Sequence, residues 1–207
     1  MLILHPTDLS EAAQTAGRAA AYLSKAWRAP LVVLHVVHLP GVSAGTAAMS
    51  IRPSLEELER RRQRLDAQVQ ELKKLGAEVR VEMIEGLPDE VVAQRAEDEQ
   101  VGLLVIGATG DRRRVAFGLG STAMRLIKSS PAPTLVVRED QSLASWARGE
   151  RPLRVAIGLD PSRPARMALD WLGSWTAAGA LDVVALHVYD PETAGGVSAV
   201  AEKEQFL

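Results

Sequence analysis

Apolar and polar positions change period repeatedly along the first two thirds of this chain. Residues 2–5 form a short apolar run. Residues 11–28 follow as an Ala-rich stretch with few breakers, which Asp8 and Ser10 can cap as a helix. Residues 31–37 (Leu-Val-Val-Leu-His-Val-Val) are almost continuously apolar, the pattern of a parallel strand covered on both faces. Residues 39–52, rich in Gly, Ala and Ser, read as a loop. Ser54 and Glu57 then make a capping box after Pro53. The helix they open carries Leu55, Leu58, Leu65, Val69, Leu72 and Leu75 on one side, is charged on the other, and stops at Gly76. Its Arg60-Arg-Arg62 run, interleaved with acids, reads as a solvated face rather than a nucleic-acid patch.

Residues 78–84 alternate as a strand, Gly86 to Asp89 turn into a short helix over 91–99, and 103–106 (Leu-Leu-Val-Ile) form another buried strand. A helix over 122–130, a break at Pro131-Ala-Pro133 and a last strand at 134–138 complete the series. The alternation β-α-β-α-β-α-β-α-β predicts an α/β fold over 1–139: a doubly wound, Rossmann-like sandwich around a five-stranded parallel sheet. Residues 140–152 read as a linker. Beyond them the opening returns: Asp8, Ser10, Ala13, Ala16, His35 and Val36 recur as Asp160, Ser162, Ala165, Ala168, His187 and Val188, always 152 residues on (8 to 160, 35 to 187). Residues 153–207 are therefore expected to hold a partial β-α-β repeat that ends after its second strand.

Composition narrows the chemistry. The chain has 207 residues and no cysteine, which excludes disulfides and thiol catalysis and fits a cytoplasmic protein. A formal net charge of −2 gives no general attraction to nucleic acid or anionic lipid, and 4% aromatics provide no stacking platform. No apolar run is long enough for a membrane span, and the N-terminus lacks the basic region of a signal peptide.

The densest chemistry follows the strand at 103–106. Gly107-Ala-Thr-Gly110 is separated by nine residues from Gly120-Ser121-Thr122, which leads into a helix. Glycines let backbone approach a ligand closely, and a helix start offers free N–H groups at the positive end of its dipole, both suited to phosphate. If the strands 2–5 and 103–106 are neighbours at the sheet's switch point, Pro6, Thr7 and Asp8 form the facing wall. Asp8 can accept from a ribose or base, and can equally cap the first helix. Val36 can line an adenine pocket or belong to the core. The glycines also admit a reading as turn residues with an N-cap.

Rival sites fail. There is no Gly-x4-Gly-Lys-Ser/Thr and no Gly-x-Ser-x-Gly. Gly118-Leu-Gly120-Ser-Thr-Ala123 lies too far past its strand for a dinucleotide fingerprint. His35 and His38 point to opposite faces and make no metal pair, while His5 and His35 read as strand-end polar groups.

The pattern Gly-x2-Gly-x9-Gly-Ser, with Pro6-Thr-Asp-x-Ser10, Leu34-His-Val-Val37 and Ala132-Pro-Thr-Leu-Val-Val137, resembles the universal stress protein family in its ATP-binding branch. The likeness covers 1–139 and implies an adenine nucleotide α-hydrolase-like fold. It implies ATP near Asp8 and Val36, with triphosphate on the glycine motif and Mg2+ carried by the phosphates. It also implies a homodimer through the strand 134–138. The function it implies is nucleotide-dependent stress or signalling regulation, with at most slow ATP hydrolysis. Two alternatives stand beside it: an adenine-nucleotide α-hydrolase-type enzyme, and a nucleotide-independent oligomeric scaffold.

Overall fold

A computed structural model of the chain describes residues 1–38, 53–109 and 118–188. The loop read at 39–52, Gly110, the basic insert after it and the end of the chain beyond 188 lie outside the described residues. Residues 1–141 and 142–207 form two compact units.

The first unit is an α/β fold. Its elements are β1 (Ile3–Pro6), α1 (Glu11–Trp27), β2 (Leu31–Val37), α2 (Leu55–Lys74), β3 (Val79–Glu85), α3 (Pro88–Asp98), β4 (Leu103–Gly107), α4 (Ser121–Ser129) and β5 (Thr134–Val137). The five strands form one parallel sheet in the order β3-β2-β1-β4-β5. The apolar runs explain the centre: Ile3 and Leu4, Leu31 to Leu34, and Leu103 to Ile106 are buried, as strands covered on both faces must be. Leu4, Val32, Leu34, Leu104 and Ile106 pack with Val92 and Ala96 of α3 and Ala123 and Leu126 of α4. Strand alternation sends Ile3, His5, Val33, His35 and Val105 to the opposite face.

There α1 runs across the sheet. It buries Ala13, Ala16, Ala19 and Ala20, residues small enough for a close approach. Gly107, at the end of β4, is where that approach is tightest. A Cβ there would lie 2.9 Å from both the carbonyl carbon and oxygen of Ala12. Gly107 thus has a packing reason of its own beside any role toward a ligand.

The second unit contains α5 (Gln141–Ala147), β6 (Leu153–Gly158), α6 (Arg163–Gly173), a 3-10 turn (Ser174–Ala177) and β7 (Leu181–Leu186), with β6 and β7 paired in parallel. α5 occupies the stretch read from sequence as a linker. Trp146 is the reason: it is 2% exposed and its indole N–H donates to the Ala180 carbonyl at 3.0 Å. Its ring lies 5.9 Å from that of Trp175, which in turn meets Trp171 at 5.2 Å. Among the described residues no helix is long and apolar enough to cross a membrane.

Three hydrogen bonds have counterparts at positions 152 residues apart. Thr7 N–H donates to Leu34 O at 2.9 Å, and Leu159 N–H to Leu186 O at 2.8 Å. His35 Nδ1 meets Thr7 O at 2.8 Å, and His187 Nδ1 meets Leu159 O at 2.7 Å. Asp8 Oδ1 accepts from Ser10 N–H, and Asp160 Oδ1 from Ser162 N–H, both at 3.0 Å.

Gly107→Ala is expected to destabilise the first unit by about 1–3 kcal/mol, because the clash is with backbone that cannot rotate away. Urea denaturation measures this; an unchanged midpoint contradicts the packing account.

Candidate functional site: a cleft at the carboxyl edge of the first sheet

β1 leaves the sheet at Pro6 and turns into α1 through four residues whose polar groups are mostly tied. Leu9 takes the left-handed conformation (φ 65°), which makes the turn tight. The Thr7 hydroxyl accepts from Leu9 N–H at 3.0 Å and donates to Gln68 Oε1 at 3.0 Å. Ser10 is the N-cap of α1, accepting from Ala13 N–H at 3.2 Å. Asp8 does not cap the helix; it closes an Asx turn onto Ser10 N–H and leaves its side chain exposed at the tip. Arg64 of α2 donates to the Leu9 carbonyl at 2.9 Å and clamps this turn from above.

The opposite wall comes from β4. The chain re-enters after the glycine motif with Gly120 N–H donating to Ala108 O at 2.8 Å. That bond sets the start of α4 beside the end of β4. Gly120 is the N-cap and no side chain caps the helix. Ser121 and Thr122 are exposed in its first turn, where backbone N–H groups lack helical partners. Between the walls lies a cleft of about 1280 Å3. Eight of the nine residues expected from sequence line it: Pro6, Thr7, Asp8, Val36, Gly107, Gly120, Ser121 and Thr122. The ninth, Gly110, is outside the described residues. Thr7 is buried with its hydroxyl engaged twice, so its side chain supports the wall rather than facing a ligand.

With this geometry in view, the comparisons with known proteins are decisive about kinship. Residues 1–138 match the family model described as the universal stress protein family. The chain belongs to that family. It is 30% identical over 138 residues to universal stress protein MJ0531 of Methanocaldococcus jannaschii, covering 66% of this chain and 81% of that one. The fold is shared with a universal stress protein of Archaeoglobus fulgidus solved in complex with dAMP. That match has a TM-score of 0.52 at 22% identity and covers 67% of this chain and 98% of that one. Another Archaeoglobus fulgidus universal stress protein aligns with 93% of this chain and 68% of its own, with TM-score 0.69 and 21% identity.

This universal stress protein also places residues at the cleft that sequence reading assigned to solvent. Arg60, Arg61 and Arg64 of α2 line it, although they are charged and accessible as expected. Gln68 went unnoticed too. The available signal was its position inside the apolar stripe of Leu65, Val69 and Leu72, where it is only 5% exposed. It joins Thr7 to His5. His5 Nδ1–H donates to Val105 O at 2.9 Å, which leaves Nε2 as the acceptor 3.5 Å from Gln68 Nε2. Gly17 makes room for this network; a Cβ there would sit 2.9 Å from Gln68 Nε2 and 3.1 Å from His5 Nε2. At the cleft, His35 Nδ1–H donates to Thr7 O, and among the described residues its buried Nε2 has no hydrogen-bond partner.

Both histidines are held neutral. Burial is the main cause, and it pushes His5 down to about 4. His35 is lowered first by burial, with Arg61 and Arg64 adding to the effect against Asp8 and the Thr7 carbonyl. An unfolded histidine titrates near 6.5, so as pH falls from about 6.5 to about 4 the unfolded chain takes up a proton that native His5 refuses. Stability is therefore full above about pH 6.5 and falls below it, by about 2 kcal/mol at pH 5 from His5 alone. Urea unfolding across this window should show the loss, and His5→Gln should flatten it. A wild-type slope that survives the substitution contradicts the assignment.

Proposed function

We propose that the first unit binds an adenine nucleotide, as in the ATP-binding branch of the family, and that the chain acts as a nucleotide-dependent regulator with at most slow ATP hydrolysis. One observation carries the reading. The uncapped start of α4, fixed by the Gly120–Ala108 bond, faces the Asp8 turn across the point where strand order reverses. N–H donors and a positive helix end on one wall suit phosphate. The exposed Asp8 carboxylate on the other suits ribose hydroxyls or the base. Val36, half-buried beside the α3–α4 core, gives the base an apolar surface. A universal stress protein of this fold, from Archaeoglobus fulgidus, was solved in complex with the deoxyadenine nucleotide dAMP, which supports the reading. Among the described residues no cluster of carboxylates and histidines could hold a metal, so any Mg2+ would ride on the phosphates.

The enzyme reading is weaker. An α-hydrolase-type site would need free hydroxyls after β1, but those of Thr7 and Ser10 are committed to the turn. His5 is sealed under Gln68 and α1. The second unit, which repeats the Asp8 turn as an Asp160 turn onto Ser162, reads as a partial family repeat. β5, an edge strand, is the surface through which a homodimer would form.

Titration with a fluorescent ATP analogue should give micromolar binding. Gly110→Val or Gly120→Val should weaken it about tenfold or more, since each adds a side chain to the glycine motif read as the phosphate site. Binding that survives both substitutions removes the site assignment, and its absence in the wild type removes the function.

A further inference from the structure

We infer that the α2 side of this cleft is a second anion subsite, so that the preferred ligand is an adenine nucleotide bearing a phosphate at the ribose 3′ position as well as at 5′. The inference rests on the nucleotide reading above and names the ligand class within it.

The two walls differ in charge. On the α4 side, Arg125 is tied to Asp89 at 2.7 Å, and the helix start supplies the donors. On the α2 side stand Arg60, Arg61 and Arg64 against one lining carboxylate, Glu57, which engages Arg61 at 2.6 Å. Arg60 and Arg64 have only carbonyl partners among the described residues, Glu56 O at 3.3 Å and Leu9 O at 2.9 Å. Each guanidinium has five N–H donors, so most remain available for an anion. Helical geometry sets Arg60 and Arg64 one turn apart on the same face, next to Arg61. Among the described residues of α2 that line the cleft, positive charge exceeds negative.

His35 is the independent observation. It is 5% exposed, it lines the cleft, and among the described residues its Nε2 lone pair has no partner. Thr7 O fixes the proton on Nδ1, so Nε2 can only accept. A buried acceptor at a cleft floor calls for a donor from a ligand or water. A ribose 2′-hydroxyl supplies one. With the 2′-hydroxyl on His35, the adjacent 3′ position faces the arginine wall. The Asp8 carboxylate repels phosphate, which favours a ligand whose phosphates lie away from it, toward the α4 and α2 sides.

Isothermal titration of the full chain with AMP and with adenosine 3′,5′-bisphosphate tests this. Wild type should bind the bisphosphate about tenfold or more tightly than AMP, as expected for charge-assisted bonds to a second phosphate. In the double variant Arg60→Gln/Arg61→Gln the ratio should fall to about twofold or less. Arg64 is left in place because it holds the Leu9 carbonyl. Equal affinities in wild type, or a preference that persists in the double variant, overturns the second subsite while leaving the nucleotide reading intact. If neither nucleotide binds, both readings fall together.

Discussion

Because β1 is paired with β2 on one side and β4 on the other, the connections that leave β1 and β4 diverge to opposite faces of the sheet. Among the described residues a cleft lies between them at the carboxyl edge. The cleft follows from that pairing. Its two walls are each fixed by short bonds at strand ends, the Thr7–Leu34 and Gly120–Ala108 hydrogen bonds. Slipping β1 against β4 by one residue would turn His5 and Leu4 to the wrong faces and misalign both walls at once.

Beneath the cleft, polar side chains take the place of apolar ones, and this has consequences for rigidity. His5, Gln68 and Thr7 form a connected path from the Val105 carbonyl in β4, through α2, to the turn that carries Asp8. Buried polar networks of this kind are favourable only when their members are satisfied, and they then tolerate few alternative geometries. The path therefore couples the position of Asp8 to both the central sheet and α2. The exception is His35 Nε2, left without a partner among the described residues where the network meets the cleft.

Much of the fold was legible because the central strands are near-continuous apolar runs and the helices open on Ser10 and Ser54, whose side chains cap as expected. Asp8, Val36 and the Gly120-Ser-Thr122 start were legible as neighbours at one cleft because a switch point places strand ends together. Three features were not. Gly107 looks like a ligand glycine in sequence, yet its close neighbour is the Ala12 backbone, a contact that only helix packing creates. Arg60, Arg61 and Arg64 have the periodicity of a solvent face, and periodicity cannot tell open water from a water-filled cleft. The stretch 140–152 has a linker's composition, and only the partners of Trp146 make part of it a helix.

The central proposal is that the first unit's Asp8 turn and the start of α4 bind one adenine nucleotide between them. Amide chemical-shift mapping of the full chain during titration with ATP tests it. The account predicts saturable shifts at Asp8 to Ser10 and Gly120 to Ala123, with Asp160 to Ser162 unmoved. Shifts centred on Asp160 to Ser162, or no shifts at the two walls of the cleft, would contradict it.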